Sequence, residues 1–259
     1  MDSFLGFEPD TALLVTGAAS GIGEAIAMTA ARLGLRVAAW DLKEEGARRT
    51  VKAIASEGGT ATAFGVDAAD ASSVADAWAQ TTHTFGAVSC LAAVAGPPSF
   101  GDRPFMEGLT AAIECMRLPT EAWLDQPDPG SRSAVYLSSV QGPRYGAGVS
   151  WYTVAKSAID GYARSIAGMR TGGIRANAIL PDWVLTPRTQ QFVEKIGGIE
   201  WDANPMGRIA VAQDVANVAV FLLSPAAQYL NGISVEVDGG SHLRSLGWMR
   251  MAQISGSAA

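Results

Sequence analysis

Residues 12–23 read Ala12-Leu13-Leu14-Val15-Thr16-Gly17-Ala18-Ala19-Ser20-Gly21-Ile22-Gly23, and their reading decides the fold. A short apolar run closed by a threonine has the length and character of a buried strand. Three glycines then punctuate a turn, and Ile22, Ile26, Ala30 and Leu33 recur at helical spacing until Gly34 stops the helix. A strand turning on glycines into a helix leaves the first helical N–H groups unpaired and the positive end of the helix open to an anion. A glycine-rich turn alone is a common structural device. Here it sits in strand–turn–helix context, with Asp41 18 residues beyond Gly23, which makes it a dinucleotide-binding fingerprint.

The same alternation continues outward. Apolar strand-like runs occupy 12–16, 36–40, 60–66, 88–94, 134–137, 176–180 and 234–237, more continuous than alternating, as strands covered on both faces require. Helical patterns fill 44–57, 71–82, 107–124, 151–169 and 211–223. Seven strands and six helices predict an α/β fold: a doubly wound, Rossmann-type parallel seven-stranded sheet with helices on both faces. No internal repeat or linker divides the chain, so residues 1–259 are expected to form one domain. Two stretches break the rhythm. Residues 182–207 are long enough for a substrate lid, and 241–259 form an apolar tail beyond the last strand.

Composition narrows the classes. The 259 residues are 48% hydrophobic and 17% charged, which excludes disorder and supports a large core. A net charge of −6 without a basic stripe argues against nucleic-acid binding. No apolar run reaches the roughly 18 residues that cross a bilayer. The opening Met-Asp-Ser-Phe-Leu-Gly lacks a basic segment followed by an apolar one, so a cytoplasmic protein off the membrane is expected. Two cysteines, Cys90 and Cys115, are too few for a disulfide framework or a zinc site.

The cofactor-binding set expected from the turn and the strand ends is Gly17, Ser20, Gly21, Ile22, Gly23, Asp41, Leu42, Asp67, Ala68 and Ala95. Asp41 closes the second strand, where a carboxylate accepts hydrogen bonds from ribose hydroxyls and repels a 2′-phosphate, so NAD is expected rather than NADP. Lys43 nearby weakens that repulsion. Asp67 closes the third strand, either holding the adenine amino group or capping the next helix. At the other end, Ser139 follows the fifth strand, and thirteen residues later come Tyr152 and Lys156, four apart on one helical face.

These motifs together resemble the short-chain dehydrogenase/reductase family, in its Tyr-x-x-x-Lys form. The glycine turn 16–23 and the Ser139, Tyr152, Lys156 set carry the resemblance. Arg175-Ala176-Asn177-Ala178-Ile179-Leu180-Pro181 and Val237-Asp238-Gly239-Gly240 extend it, over about residues 10–240. The resemblance implies that Tyr152, Lys156, Val184 and Thr186 also contact the cofactor. Val184 would do so through its backbone and Thr186 through its hydroxyl, both at the nicotinamide carboxamide. It implies a homo-oligomer, dimer or tetramer, through helices 107–124 and 151–169.

The chemistry follows from the side chains. A tyrosine of pKa about 10 is a poor base at neutral pH. An ammonium about 4 Å away contributes on the order of 4 kcal/mol at an effective dielectric near 20, up to about three pKa units before desolvation opposes it. Tyr152 is therefore expected as general base for oxidation and general acid for reduction, with Ser139 on the substrate oxygen and Lys156 on the nicotinamide ribose. No metal is required. The expected reaction is hydride transfer between NAD and a small secondary alcohol or ketone.

The chain departs from the family pattern in two places. Ala93-Val94-Ala95-Gly96 stands where the family has Asn-Asn-Ala-Gly. The asparagine that many members carry before the fifth strand is absent, its nearest aligned positions being around Ala112 and Ile113. An NAD-binding protein with little turnover, serving as a sensor or oligomer component, and different chemistry such as enoyl reduction or epimerisation therefore stay open. Family enoyl reductases widen the Tyr–Lys spacing to seven, so a spacing of four points to carbonyl chemistry. Substrate contacts are expected from Ser139, Gln141, Tyr145 and Trp183, within walls that include Pro97, Pro98, Trp151, Asp182, Phe192 and Trp201. Such walls suit an apolar cyclic or aryl substrate. Asp182 either adds a polar feature near the nicotinamide or caps the next helix. His83 and His242 are expected to be structural or solvated.

Overall fold

A computed structural model describes residues 4–99, 102–127, 130–144, 150–169, 173–195, 197–200 and 204–243. Along the chain the elements are β1 (Ala12–Thr16), α1 (Gly21–Arg32), β2 (Arg36–Asp41), α2 (Glu44–Ser56), β3 (Thr60–Gly65) and α3 (Ala71–Phe85). They continue with β4 (Cys90–Ala93), α4 (Phe105–Leu124), β5 (Arg132–Leu137), α5 (Trp151–Ala167) and β6 (Ile174–Pro181). The last are β7 (Val184–Leu185), α6 (Gln190–Lys195), β8 (Ala210–Val211), α7 (Ala212–Leu223) and β9 (Ser234–Val237).

Seven of the strands form one parallel sheet in the order β3-β2-β1-β4-β5-β6-β9. All five β1 residues are buried, yet neighbours serve opposite faces because successive side chains point opposite ways. Leu14 packs with Trp40, Val74, Met116 and Ile159 on the side of α3, α4 and α5. Leu13 and Val15 pack with Ile26, Ala30, Val215 and Ala219 on the side of α1, α2 and α7. Two apolar layers on one sheet are the doubly wound architecture the sequence predicted. The strand order reverses between β1 and β4, which opens a crevice at their carboxyl ends.

The family-like stretch in β6 has a structural task. Arg175 donates to the carbonyls of Leu222, Leu223 and Ser224, tying the end of α7 to the sheet. Asn177 donates to Leu230 and accepts from Ile233.

Most elements differ from expectation by one to three residues at one or both ends, and two of the differences have clear local reasons. β4 starts at Cys90 because side chains take the polar groups of Val88: its N–H donates to Gln126 Oε1, and its carbonyl accepts from Trp123 Nε1 and Gln126 Nε2. α5 ends at Ala167, where the Gly168 amide returns to Arg164. The segment expected as a lid is also more ordered than a loop, since β7 pairs in parallel with β8 and α6 lies between them. Among the described residues no helix is long and apolar enough to cross a membrane. The expected tail 241–259 lies mostly outside the described residues, which stop at Leu243.

Candidate active site

A cleft of about 910 Å³ runs across the carboxyl ends of β1, β4 and β5, floored by the glycine turn and roofed by the segment after β6. Its first half is built by backbone. Gly17 and Gly21 adopt φ of +75° and +61°, a region that side chains disfavour. A Cβ on Gly17 would lie 3.1 Å from the backbone of Ala95, so glycine lets the two strand ends approach. Thr16 Oγ1 joins those ends by accepting from the amides of Val94 and Ala95 at 3.0 and 3.1 Å. Ser20 is the N-cap of α1 but its side chain makes no capping bond, so the first-turn amides face the cleft without a side-chain acceptor. Uncapped amides beside a close-approach turn fit a pyrophosphate.

Asp41 ends β2 at the same edge. Its Oδ2 accepts from the Ala19 amide at 2.9 Å and its Oδ1 from Lys43 at 2.8 Å. The carboxylate thus braces the glycine turn, and each oxygen keeps a second acceptor direction. Asp67 accepts from the Ala69 amide, whereas the cap of α3 is Asp70, which accepts from Ser73. The helix-cap reading of Asp67 is thereby excluded. Ile22, Leu42, Ala68 and Ala95 line the same wall as these groups.

The second half is built by side chains. Tyr152 and Lys156 stand one turn apart on α5, and Ser139 follows β5; all three line the cleft. Ser139 Oγ accepts from the Gln141 amide at 3.1 Å and donates to the Pro181 carbonyl at 3.4 Å, and its side chain faces the Tyr152 hydroxyl closely enough to lower the pKa of that group. Lys156 Nζ donates to the Leu137 carbonyl at 2.6 Å and lies 5.6 Å from the centroid of the Tyr152 ring. Val184 and Thr186 complete the roof, with the Thr186 side chain over Gly21.

The electrostatics correct the expectation for Tyr152. Burial holds its hydroxyl above the ordinary tyrosine range, although the Ser139 side chain and the charge of Arg188 pull downward. Burial also lowers Lys156 to about 8, with Arg188 pushing the same way and Cys115 opposing. The simple Coulomb argument assumed a full ammonium facing the phenol. In the structure that ammonium points at Leu137 and is itself destabilised.

A stability consequence follows. Below pH 8 both the folded and unfolded states hold the Lys156 proton, and the burial penalty is fully present. It fades as pH rises from about 8 towards the ordinary lysine value, where the folded state sheds the proton first. Lys156→Met should therefore raise stability at pH 7 by up to about 3 kcal/mol, less whatever cleft water screens. Thermal melts at pH 7 and 10 check this; a gain that does not shrink at the higher pH would contradict it.

The expected substrate contacts separate into three groups. Gln141 and Trp183 line the cleft, as do Pro97, Pro98, Trp151 and Asp182. Phe192 stands behind, stacked on Trp183 with centroids 3.9 Å apart and planes 11° apart. Tyr145 and Trp201 lie outside the described residues. Asp182 caps no helix; it accepts from the Ser241 hydroxyl at 2.6 Å. Ala112 is buried against Trp151 and Ala155, so no amide side chain stands on that face of α4. His83 is exposed on α3, and His242 pairs with Asp238 at 2.7 Å away from the cleft.

Cys115 and Arg188 are among the lining residues outside the expected site set. Cys115 lies one helical turn beyond Ala112, and burial pushes its thiol up to about 11. Helical spacing from Ala112 could have found it. Arg188 reaches the cleft only because the chain after β7 folds across it, and no local pattern announces that.

A doubly wound sheet with a dinucleotide-type turn and a Ser/Tyr/Lys set at its switch point defines a nicotinamide-dependent oxidoreductase frame. A family model described as "Enoyl-(Acyl carrier protein) reductase" matches residues 17–242. The short-chain reductase protein NovJ of Streptomyces niveus is 32% identical over 89% of this chain and 94% of its own. L-Rhamnose 1-dehydrogenase (NAD(P)(+)) of Azotobacter vinelandii is 34% identical over 89% and 96%. The crystal structure of levodione reductase superposes with a TM-score of 0.83 at 27% identity, covering 92% of this chain and 100% of that one. The chain belongs to the short-chain dehydrogenase/reductase family, a family of nicotinamide-dependent oxidoreductases.

Proposed function

We propose that the protein is an NAD(H)-dependent alcohol dehydrogenase and ketone reductase acting on a secondary alcohol or ketone with an apolar cyclic or aryl body. The observation that carries this reading is the juxtaposition of Ser139, Tyr152 and Lys156 in one cleft with the uncapped start of α1. The amides of the glycine turn would hold the pyrophosphate, Asp41 the adenosine ribose, Lys156 the nicotinamide ribose, and Val184 and Thr186 the carboxamide. When bound, the nicotinamide supplies or accepts the hydride.

The residues of the chain manage the proton. Tyr152, raised by burial, keeps its proton through the neutral range and donates it to a carbonyl oxygen being reduced. Ser139 holds that oxygen and steadies the charge developing on it. The charge of Arg188 favours the tyrosinate left behind, while Lys156, held on the Leu137 carbonyl, serves the nicotinamide ribose. In the oxidative direction the same tyrosinate takes the proton back. The exposed Phe105, Met106 and Val154 on α4 and α5 support an oligomer through those helices.

Assay of a panel of cyclic and aryl ketones and alcohols with NADH, NADPH and their oxidised forms tests the proposal. Carbonyl reduction is the expected outcome; reduction of C=C bonds alone would replace it with enoyl chemistry. Cofactor choice has its own test. Asp41→Asn removes the charge while keeping one acceptor oxygen for the turn, so the NADH-over-NADPH ratio of kcat/KM should fall about tenfold. An unchanged ratio would remove Asp41 as the selector.

A further inference from the structure

The cleft contains a cation that the hydride-transfer scheme does not need for binding. Arg188 crosses from the segment after β7 to donate to the carbonyls of Gly96 and Pro97 at 3.3 and 3.5 Å. These are long bonds to neutral acceptors, and a guanidinium has five donors. Among the described residues no carboxylate forms an ion pair with it, whereas Arg103 at the same cleft pairs with Glu107 at 2.7 Å. Asp182, the acidic side chain of the roof, is engaged by Ser241.

From this geometry we infer that Arg188 anchors an anionic group of the substrate, so that the cleft takes a hydroxy or oxo acid: an apolar ring or aryl body bearing a carboxylate. The inference rests on the cleft being the oxidoreductase site proposed above. Trp183, backed by Phe192, and Pro97 supply the apolar wall beside the guanidinium. A carboxylate there makes charge-assisted, bidentate bonds that the two backbone carbonyls cannot offer. It also relieves the repulsion between Arg188 and Lys156, two cations facing one cavity. The cofactor pyrophosphate already has the α1 amides. The field of Arg188 instead reaches the Tyr152 hydroxyl, where the reacting oxygen belongs.

The test uses 3-oxocyclohexanecarboxylate and its carboxamide as probes. Each is titrated into the full-length protein with NADH, reading fluorescence for binding and NADH consumption for KM. The acid should bind at least about tenfold more tightly than the amide in the wild type. That ratio should fall to near one in Arg188→Met and recover in part in Arg188→Lys. The NADH dissociation constant should move less than about threefold, far below the loss of a charge-assisted contact. Equal binding of acid and amide by the wild type overturns the inference. So does an Arg188→Met variant that loses NADH affinity while keeping the acid-over-amide ratio, since Arg188 would then clamp the cofactor. If the wild type reduces no ketone, the oxidoreductase reading fails, and the binding ratio still decides the role of Arg188.

Discussion

Tyr152→Phe should lower turnover by about a thousandfold or more while NADH binding stays within a few-fold of the wild type. The substitution removes one oxygen and leaves the ring. That ring packs edge-on against Trp151, with centroids 5.9 Å apart, and lies under the Lys156 amine, so phenylalanine preserves the local packing. What it removes is the proton donor that stands beside Ser139 in the cleft. Because burial keeps the wild-type hydroxyl protonated well above neutrality, reduction should be flat through the neutral range. Oxidation should climb with pH as the tyrosinate fraction grows. Steady-state kinetics in both directions, with a parallel NADH titration, read all of this. Turnover in the phenylalanine variant near the wild-type value would eliminate Tyr152 as the acid and base.

The legible part of the molecule was the part in which local sequence and tertiary role coincide. Strands β1, β2 and β6 read correctly because burial on both faces forces continuous apolar runs, with alternate residues feeding the two layers. The glycine turn was legible because positive φ at Gly17 and Gly21 restricts the residue type. The shared face of Tyr152 and Lys156 follows from helical spacing alone. The acidity of Tyr152 was not legible, since it depends on what covers the phenol and where the amine points, and both are settled by distant elements. Arg188 stayed hidden for a related reason: the β7–β8 ribbon organises the segment that carries it over the cleft, and two-residue strands leave no periodicity to read. The late start of β4 belongs with these, because Gln126 and Trp123, beyond thirty residues away, take the bonds of Val88.

The same reasoning gives the largest structural effect expected of a single residue. Gly23→Val should abolish measurable NADH binding and cost about 3 kcal/mol or more of stability. Gly23 lies inside α1 and needs no unusual backbone conformation; what it needs is space. A Cβ there would stand 2.0 Å from the Gly17 carbonyl oxygen and 2.7 Å from its carbon. No flexible side chain can yield, because the obstacle is backbone. Gly17 cannot retreat either, being pressed against Ala95, while Thr16 is tied to the amides of Val94 and Ala95. The strain therefore falls on α1, whose Ile26, Ala27 and Ala30 pack with Val215 and Ala219 of α7. Moving α1 also removes its first-turn amides from the place where the pyrophosphate is held. Gly34→Ala is the matched control: its φ is +88° but open space surrounds it, so only the left-handed strain of about 1 kcal/mol applies, with cofactor binding retained. Thermal unfolding and NADH titration of the two variants separate crowding from conformation. Wild-type affinity in Gly23→Val would show that the helix start does not hold the cofactor as proposed.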